Sequence, residues 1–405
     1  MLANALARLY ARIPLGMRLG LEPMREACAH FGHPERAFEA VHVAGTNGKG
    51  SVCAMVESIA RAAGHRTGMF TSPHLCRFAE RIQIAGDPVD DSALARTLER
   101  ALDGAPELSF FETATLAAFL AFRDAKVDLA IVEVGIGGRL DATNVLPRPR
   151  AAAITRVALD HTDRLGPTLL DIAREKAGIA KPGLDLVLGP MAADVRAAIE
   201  EVARSHSATT TEAGESAVAH PRIAVEGDFQ RDNARVAAEL GARIGAGPEA
   251  IARGLASVRW PGRLERVEAA LPGVPARSFL LDAAHNPDGA EALARHLRSL
   301  GIPPSGIALV FGTLGDKDWP AMLDLLAPAT ATRVYVAPQG GSRPAIDPAM
   351  LAARHTGVTT PGVAAALERA SAGGASLVVV AGSLVLVGEA RALLLGLPRD
   401  PPVAL

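Results

Sequence analysis

Ala40-Val41-His42-Val43-Ala44-Gly45-Thr46-Asn47-Gly48-Lys49-Gly50-Ser51 decides the fold. The apolar run Ala40 to Val43 predicts a short strand. A helix is expected from about Gly50, because Val52, Met55, Val56 and Ile59 recur at helical spacing. A strand, a glycine-rich turn and a helix in that order make a phosphate cradle. Backbone N–H groups of the turn and the helix N-terminus face the anion, and the helix dipole adds to the attraction. Gly45, Gly48 and Gly50 let the backbone of Thr46 and Asn47 come close, Lys49 supplies a point charge, and the Ser51 hydroxyl can ligate magnesium. The run departs from the G-x-x-x-x-G-K-[ST] loop: position 43 is Val, and Gly50 separates Lys49 from Ser51. A plain glycine-rich turn is the alternative. Lysine and serine placed between a strand and a helix favour a nucleotide.

Composition narrows the rest. A chain of 405 residues exceeds one typical core, so two domains are expected, with room for a third. Hydrophobic residues at 49% and charged residues at 21% match an ordinary globular enzyme. Aromatics are only 4%, so Ala, Leu, Val and Ile must build the core. A net charge of -2 without a basic block argues against nucleic acid as a partner. Cys28, Cys53 and Cys76 show no C-x-x-C spacing and read as reduced thiols of a cytoplasmic protein. Met1 to Gly20 carries Arg8, Arg12 and Arg18 and no acid, loosely like an organelle transit segment. Leu2, Leu6, Leu9 and Ile13 share a helical face, which favours a packed first helix. No apolar run reaches the length of a membrane span.

Strand-like and helix-like runs alternate, which predicts parallel sheets covered by helices on both faces. After the loop, strands are expected at Arg66 to Phe70, Arg81 to Ile84, Leu129 to Val134 and Ala152 to Thr155. Helices are expected at Thr113 to Arg123, Leu169 to Ala177, Gln230 to Ile244 and Pro248 to Ser257. Ser205 to Gly214 reads as a surface loop. Trp260-Pro261-Gly262-Arg263 breaks the pattern, so a first domain of 1–260 and a second of 261–405 are expected. Strands of the second domain are placed at Phe279 to Asp282, Ile307 to Phe311, Val334 to Ala337 and Leu377 to Val380. The fold class is α/β: a P-loop nucleotide-binding N-terminal domain with a smaller Rossmann-like C-terminal domain.

Glu133 closes an apolar strand and precedes Gly135-Ile136-Gly137-Gly138, at the sheet edge where ligands gather. It reads as a magnesium ligand or as an acid capping the next turn. His161, in Leu159-Asp160-His161-Thr162, is a ligand or a satisfied structural histidine. Asp282-Ala283-Ala284-His285-Asn286-Pro287 and Gly312-Thr313-Leu314-Gly315-Asp316 are polar strand ends, either a site or elaborate turns. A site in the cleft between the domains would bring them to the nucleotide.

In order along the chain, several runs resemble the dihydrofolate synthase/folylpolyglutamate synthase family. They are Gly45 to Ser51, Thr71-Ser72-Pro73-His74-Leu75 with Glu80-Arg81-Ile82, and Glu133-Val134-Gly135 through Asp141-Ala142-Thr143-Asn144. Leu159 to Thr162, Arg174-Glu175-Lys176-Ala177-Gly178-Ile179, Pro261-Gly262-Arg263-Leu264-Glu265 and Asp282 to Pro287 continue the series. Ala283 stands where Gly or Val is usual. Related cell-wall peptide ligases share the loop but carry a further N-terminal domain, for which residues 1–44 leave no room.

The resemblance implies that ATP phosphorylates a carboxylate and that the amine of L-glutamate attacks the acyl phosphate. Dihydropteroate is the first acceptor and reduced folates are the next. It assigns Asn233, Arg263 and Asp282 to ATP with the loop. Thr71, Ser72, Pro73, Phe111, Asp141 and Ala142 go to the pterin substrate, and His285 and Ser383 to the glutamate side. Two magnesium ions are implied, held by Ser51, Glu133, His161 and Lys176, the last as a carbamate. Lys49, Lys176 and His161 are the implied catalytic groups. From spacing alone Lys176 is a surface lysine near a helix end. A monomer that uses no nucleic acid and no membrane is expected. Another amide ligase on this scaffold, or a nucleotide-dependent switch, are the competing readings.

Overall fold

In the computed structural model the described residues are 1–13, 20–214, 222–271, 274–340 and 344–400. They form two compact units. The first comprises Met1–Ser72, Ala79–Ala224 and Phe229–Arg259; the second comprises Pro73–Phe78, Val225–Asp228 and Trp260–Leu405.

Eight strands build the sheet of the first unit: β1 (Glu39–Ala44), β2 (Thr67–Phe70), β3 (Ile82–Ile84), β4 (Asp87–Pro88), β5 (Leu129–Glu133), β6 (Ala151–Ile154), β7 (Asp185–Leu188) and β8 (Thr209–Glu212), in the order β4-β3-β2-β5-β1-β6-β7-β8. From β2 to β8 the pairing is parallel, and β3 and β4 add an antiparallel margin. In β5 and β6 every residue is buried, as a parallel sheet covered on both faces requires. β1 lies at the centre, with Val43 in register with Glu133 and Ala44 with Ile154. The C-terminal ends of three neighbouring strands therefore deliver the glycine-rich loop, Glu133 and Thr155 to one edge.

The helix Lys49–Ala62 follows the loop, and its residues from Ser51 to Ala60 are all buried. A helix buried on every side needs a close neighbour, which is the helix Pro248–Ser257. Gly254 makes the approach possible: a Cβ there would stand 2.5 Å from Ile59 Cα. The first helix, Leu2–Tyr10, buries Leu6 and Leu9, and the Arg12 guanidinium donates to the carbonyls of Leu102, Ala105 and Leu108. Arg12 and the helix face thus fasten the N-terminus to this unit.

The second unit holds a six-stranded sheet: β9 (Glu265–Leu271), β10 (Val274–Leu281), β11 (Ile307–Phe311), β12 (Thr332–Tyr335), β13 (Val358–Thr359) and β14 (Leu377–Ala381), in the order β13-β12-β11-β14-β10-β9. β9 is antiparallel to β10 and the remaining pairs are parallel. Phe279, Leu281, Val310, Val334, Val378 and Val380 fill one core cluster.

Two expectations are corrected. Ser205 to Gly214 is not wholly a loop, because Thr209–Glu212 pairs in parallel with β7. Three threonines suit an extended edge strand, and their exposure removed the apolar signal that marks a strand in sequence. The sheets are also not purely parallel, since β3, β4 and β9 run against their neighbours. Among the described residues no helix is long and apolar enough to cross a membrane.

Candidate active site

The loop is shaped from both sides. Gly45 (φ 153°) passes so close to Thr155 that a Cβ would overlap its hydroxyl, and a Cβ on Gly48 (φ 89°) would stand 2.4 Å from Asn233 Oδ1. Thr155 Oγ1 donates to the carbonyl of Asn47 (2.7 Å), Thr46 N–H to that of Arg156 (2.7 Å), and Thr46 Oγ1 to that of Ala158 (3.0 Å). Asn233 Nδ2 donates to Gln230 Oε1, and Gln230 Nε2 reaches Ser51 Oγ at 3.4 Å. The first bond inside the following helix runs from Val52 N–H to Gly48 O. The N–H groups of Lys49, Gly50 and Ser51 therefore lie outside the helix's own ladder, at its positive end. Amides so placed can hold a phosphate.

Lys49 Nζ donates to the carbonyls of Gly45 (3.2 Å) and Thr46 (3.1 Å). Lys176, on the helix Leu169–Ala177, donates to the same Gly45 carbonyl at 2.8 Å. It is 3% exposed, so the surface-lysine alternative is corrected. Burial and then the charge of Lys49 push its ammonium down to about 7, against the pull of Asp160 and Asp141. The helix that carries it starts at a capping box, Thr168 with Asp171.

Glu133 is 4% exposed, and its Oε2 accepts the backbone N–H of Ser72 at 3.1 Å. Arg81 is also buried, 5.3 Å from the centroid of the Phe110 ring; burial lowers its pKa to about 10, with Tyr10, Glu133 and Glu80 opposing. His161 sits at φ 52° before the short helix Thr162–Leu165, its Nε2 3.9 Å from Asp160 Oδ1.

The aromatic residue has a polar neighbour. Phe111 is half-buried, tilted against Phe70 with centroids 5.9 Å apart, and covers Gly135, where a Cβ would stand 2.4 Å from Phe111 Cζ. Ile136, next in the chain, donates its N–H to Asp141 Oδ2 at 3.0 Å, and Ala142 follows in a buried turn. Burial raises the Asp141 carboxyl, while Thr143 and the N–H groups of Ile136 and Gly135 pull it down. Thr71 is buried, its N–H donating to Arg81 O.

In the second unit, Asp282 spends its oxygens on backbone: Oδ2 accepts Leu264 N–H and Oδ1 accepts Ala284 N–H, both at 3.0 Å. Leu264 is left-handed (φ 48°), so the carboxylate holds the Gly262-Arg263-Leu264 turn in an unfavourable shape. Arg263 donates to Gly262 O and lies close enough to lower the Asp282 carboxyl, whose burial raises it more. His285 Nδ1 is 3.0 Å from Ala283 O, and Ser383 Oγ caps the last helix by accepting Leu386 N–H. Pro73 is exposed and belongs to this unit.

Two family models match: the Mur ligase middle domain over residues 43–220, and the Mur ligase glutamate ligase domain over residues 262–384. The folylpolyglutamate synthase of Lacticaseibacillus casei is 34% identical over 90% of this chain and 92% of its own length. The chain belongs to the folylpolyglutamate synthase/dihydrofolate synthase family of Mur ligases. It spans about half the length (49%) of a 38% identical bifunctional folylpolyglutamate synthase/dihydropteroate synthase from Halobacterium salinarum. The structure of Escherichia coli FolC with DHPP and ADP resembles it with a TM-score of 0.85 and 30% identity over 98% of both chains. A synthase of this family with Mn, AMPPNP and L-glutamate bound gives 0.82 and 31%, over 93% of this chain and 95% of that one.

As a member of this family the chain is an ATP-dependent ligase that uses a divalent metal, and its residues fit that role. Among the described residues no three His, Cys, Asp or Glu side chains form a metal group, so a metal would draw on mixed donors. The Ser51 hydroxyl and the Glu133 carboxylate are hard oxygen ligands of the kind magnesium takes. Reading the sequence missed Thr155, Gln230 and the burial of Arg81. Thr155 was legible only as a strand end, and Gln230 only as a helix residue one turn before Asn233.

Proposed function

We propose that this chain joins L-glutamate to dihydropteroate, giving dihydrofolate, and extends reduced folates by further glutamates. The observation that carries the reading is the pair of lysines on one carbonyl, Lys49 and Lys176 on Gly45, beside a loop with outward amides. A carboxylate at neutral pH is a poor electrophile. Its oxygen attacks the terminal phosphorus of ATP and ADP leaves; the glutamate amine then attacks the acyl carbon, and phosphate and a proton depart. Lys49 and the loop amides neutralise charge on the transferring phosphoryl group, and the stiff loop fixes its position. Two magnesium ions, on Ser51, Glu133, His161 and Lys176, would screen the phosphate oxygens further.

Lys176 is assigned a carbamate. Carbon dioxide bonds only to the neutral amine, which loses a proton, and a pKa near 7 supplies that amine at physiological pH. The product is an oxygen ligand where a cation would have repelled metal. Phe111, Asp141 and Ala142 hold the pterin, with Thr71, Ser72 and Pro73 on the acceptor side. Asn233, Arg263 and Asp282 serve the nucleotide, and His285 and Ser383 the glutamate. The assignment of 1–260 to ATP and acceptor and of 261–405 to ligation belongs to this reading. So do a monomeric state and a cytoplasmic location, the latter in keeping with three buried free cysteines.

The test is an assay with ATP, magnesium and glutamate against dihydropteroate and tetrahydrofolate separately. Glutamylated products from both are expected. No product from either overturns the reading in favour of another acceptor.

A further inference from the structure

We infer that His42 and Thr143 form a buried hydrogen-bond chain that aims the Asp141 carboxylate at an N–H donor of a flat heterocyclic acceptor. His42 lies in the middle of β1 and Thr143 in the turn after Asp141; both are fully buried, and Asp141 is 5% exposed.

The protons can be placed one by one. Thr143 donates both its N–H (3.0 Å) and its hydroxyl (2.5 Å) to Asp141 Oδ1. A hydroxyl has one proton, so towards His42 Nε2, 2.8 Å away, Thr143 Oγ1 can only accept. Nε2 therefore carries the ring proton. Nδ1 is buried without a partner, which fits a neutral ring and leaves an imidazolium one donor in excess. A ring that can only donate at Nε2 locks the hydroxyl proton onto the carboxylate.

The far end of the chain points to the role. Asp141 Oδ2 accepts the N–H of Ile136 at 3.0 Å with Gly135 N–H nearby, while both Thr143 donors sit on Oδ1, so Oδ2 is the oxygen that faces the Gly135 side. Ile136 adjoins Gly135, which Phe111 covers. A carboxylate held by two bonds at its inner oxygen, with its outer oxygen on the side of an aromatic face, suits a ring that stacks while offering N–H groups. His42 and Thr143 touch no substrate in this account and are positioning residues. The inference rests on the assignment of Phe111 and Asp141 to the acceptor.

Steady-state kinetics of Thr143→Val, Thr143→Ser, Asp141→Asn and the double variant Thr143→Val/Asp141→Asn test it. Thr143→Val should raise KM for dihydropteroate about tenfold, the scale of one hydrogen bond to a charged group, and leave KM for ATP unchanged. Thr143→Ser should restore it, and the double variant should be no worse than Asp141→Asn alone. Equal losses for ATP and dihydropteroate, or additive losses in the double variant, would overturn the inference. So would an unchanged KM in Thr143→Val while Asp141→Asn raises it. If Asp141→Asn itself leaves KM for dihydropteroate unchanged, the acceptor assignment falls and the inference with it. Should Thr143→Val not fold, nitrogen-15 NMR of the wild-type histidines decides. The signals lost in His42→Gln should report a neutral ring protonated at Nε2; an Nδ1–H tautomer or an imidazolium at neutral pH would contradict it.

Discussion

Lys49 and Lys176 donate to one carbonyl, yet their alanine variants should differ in whether they can be rescued. Lys49→Ala should lose at least about a thousandfold in turnover, on the order of 4 kcal/mol of transition-state stabilisation, with no rescue by additives. Lys176→Ala should also lose most activity but regain part of it when a small carboxylic acid fills the place of the carbamate. Normal turnover in either variant would remove that lysine from the mechanism. His42 gives a pH prediction. Burial first, and the charge of Lys181 second, push its pKa down to about 3, whereas an unfolded histidine titrates at about 6.5. The unfolded chain thus binds a proton that the folded one refuses. The stability due to neutral His42 is complete above pH 6.5 and is lost as pH falls towards 3, by at most about 1.4 kcal/mol per pH unit. Thermal unfolding of His42→Gln should show a flatter pH dependence across that window; an unchanged slope would contradict it. At this scale the sequence was legible for position where a residue sits in a local motif: Lys49 opens the helix after the glycine turn, and Glu133 closes its strand. It was silent where a partner arrives from far along the chain. Thr155 contacts the loop from more than a hundred positions away, and nothing near it in sequence marks the contact.

Elements obey packing more than propensity. The helix Lys49–Ala62 carries the phosphate loop and leans on Gly254, whose carbonyl also accepts the Ser58 hydroxyl at 2.8 Å. Gly254→Ala would drive a Cβ into the backbone of Ile59, so the two helices must part. A loss of about 1–3 kcal/mol of stability is expected, read by denaturant unfolding, together with weaker ADP binding by calorimetry. Full stability and affinity in that variant would show that the helix contact does not hold the loop. The helices and strands around the loop could be read because apolar residues recur at a fixed period, and the helix Leu169–Ala177 was read to the residue, whereas the helices Glu22–His30, Asp91–Gly104 and Ala193–Ser205 and the buried strand β7 were not. The edge strands escaped. β8 is polar and exposed, β4 and β13 have two residues each, and β9 runs antiparallel where an alternating pattern promised parallel strands.

For the whole molecule, two α/β units each bring polar groups to strand ends, and the alternation of strands and helices made that class legible from sequence. The roles of the individual residues came from family motifs, because period and composition carry no information about which carboxylate a ligase activates. The buried clamp of Asp282 on Leu264 illustrates the gap, since a left-handed leucine is invisible until the backbone is seen. The central claim is that a carboxylate is activated by taking a phosphoryl group before glutamate attacks. The direct measurement uses dihydropteroate whose carboxylate is labelled with the heavy oxygen isotope, with ATP, magnesium and glutamate, followed by mass spectrometry of the released phosphate. One labelled oxygen should appear in phosphate for each amide formed. Unlabelled phosphate alongside full amide formation would contradict the account.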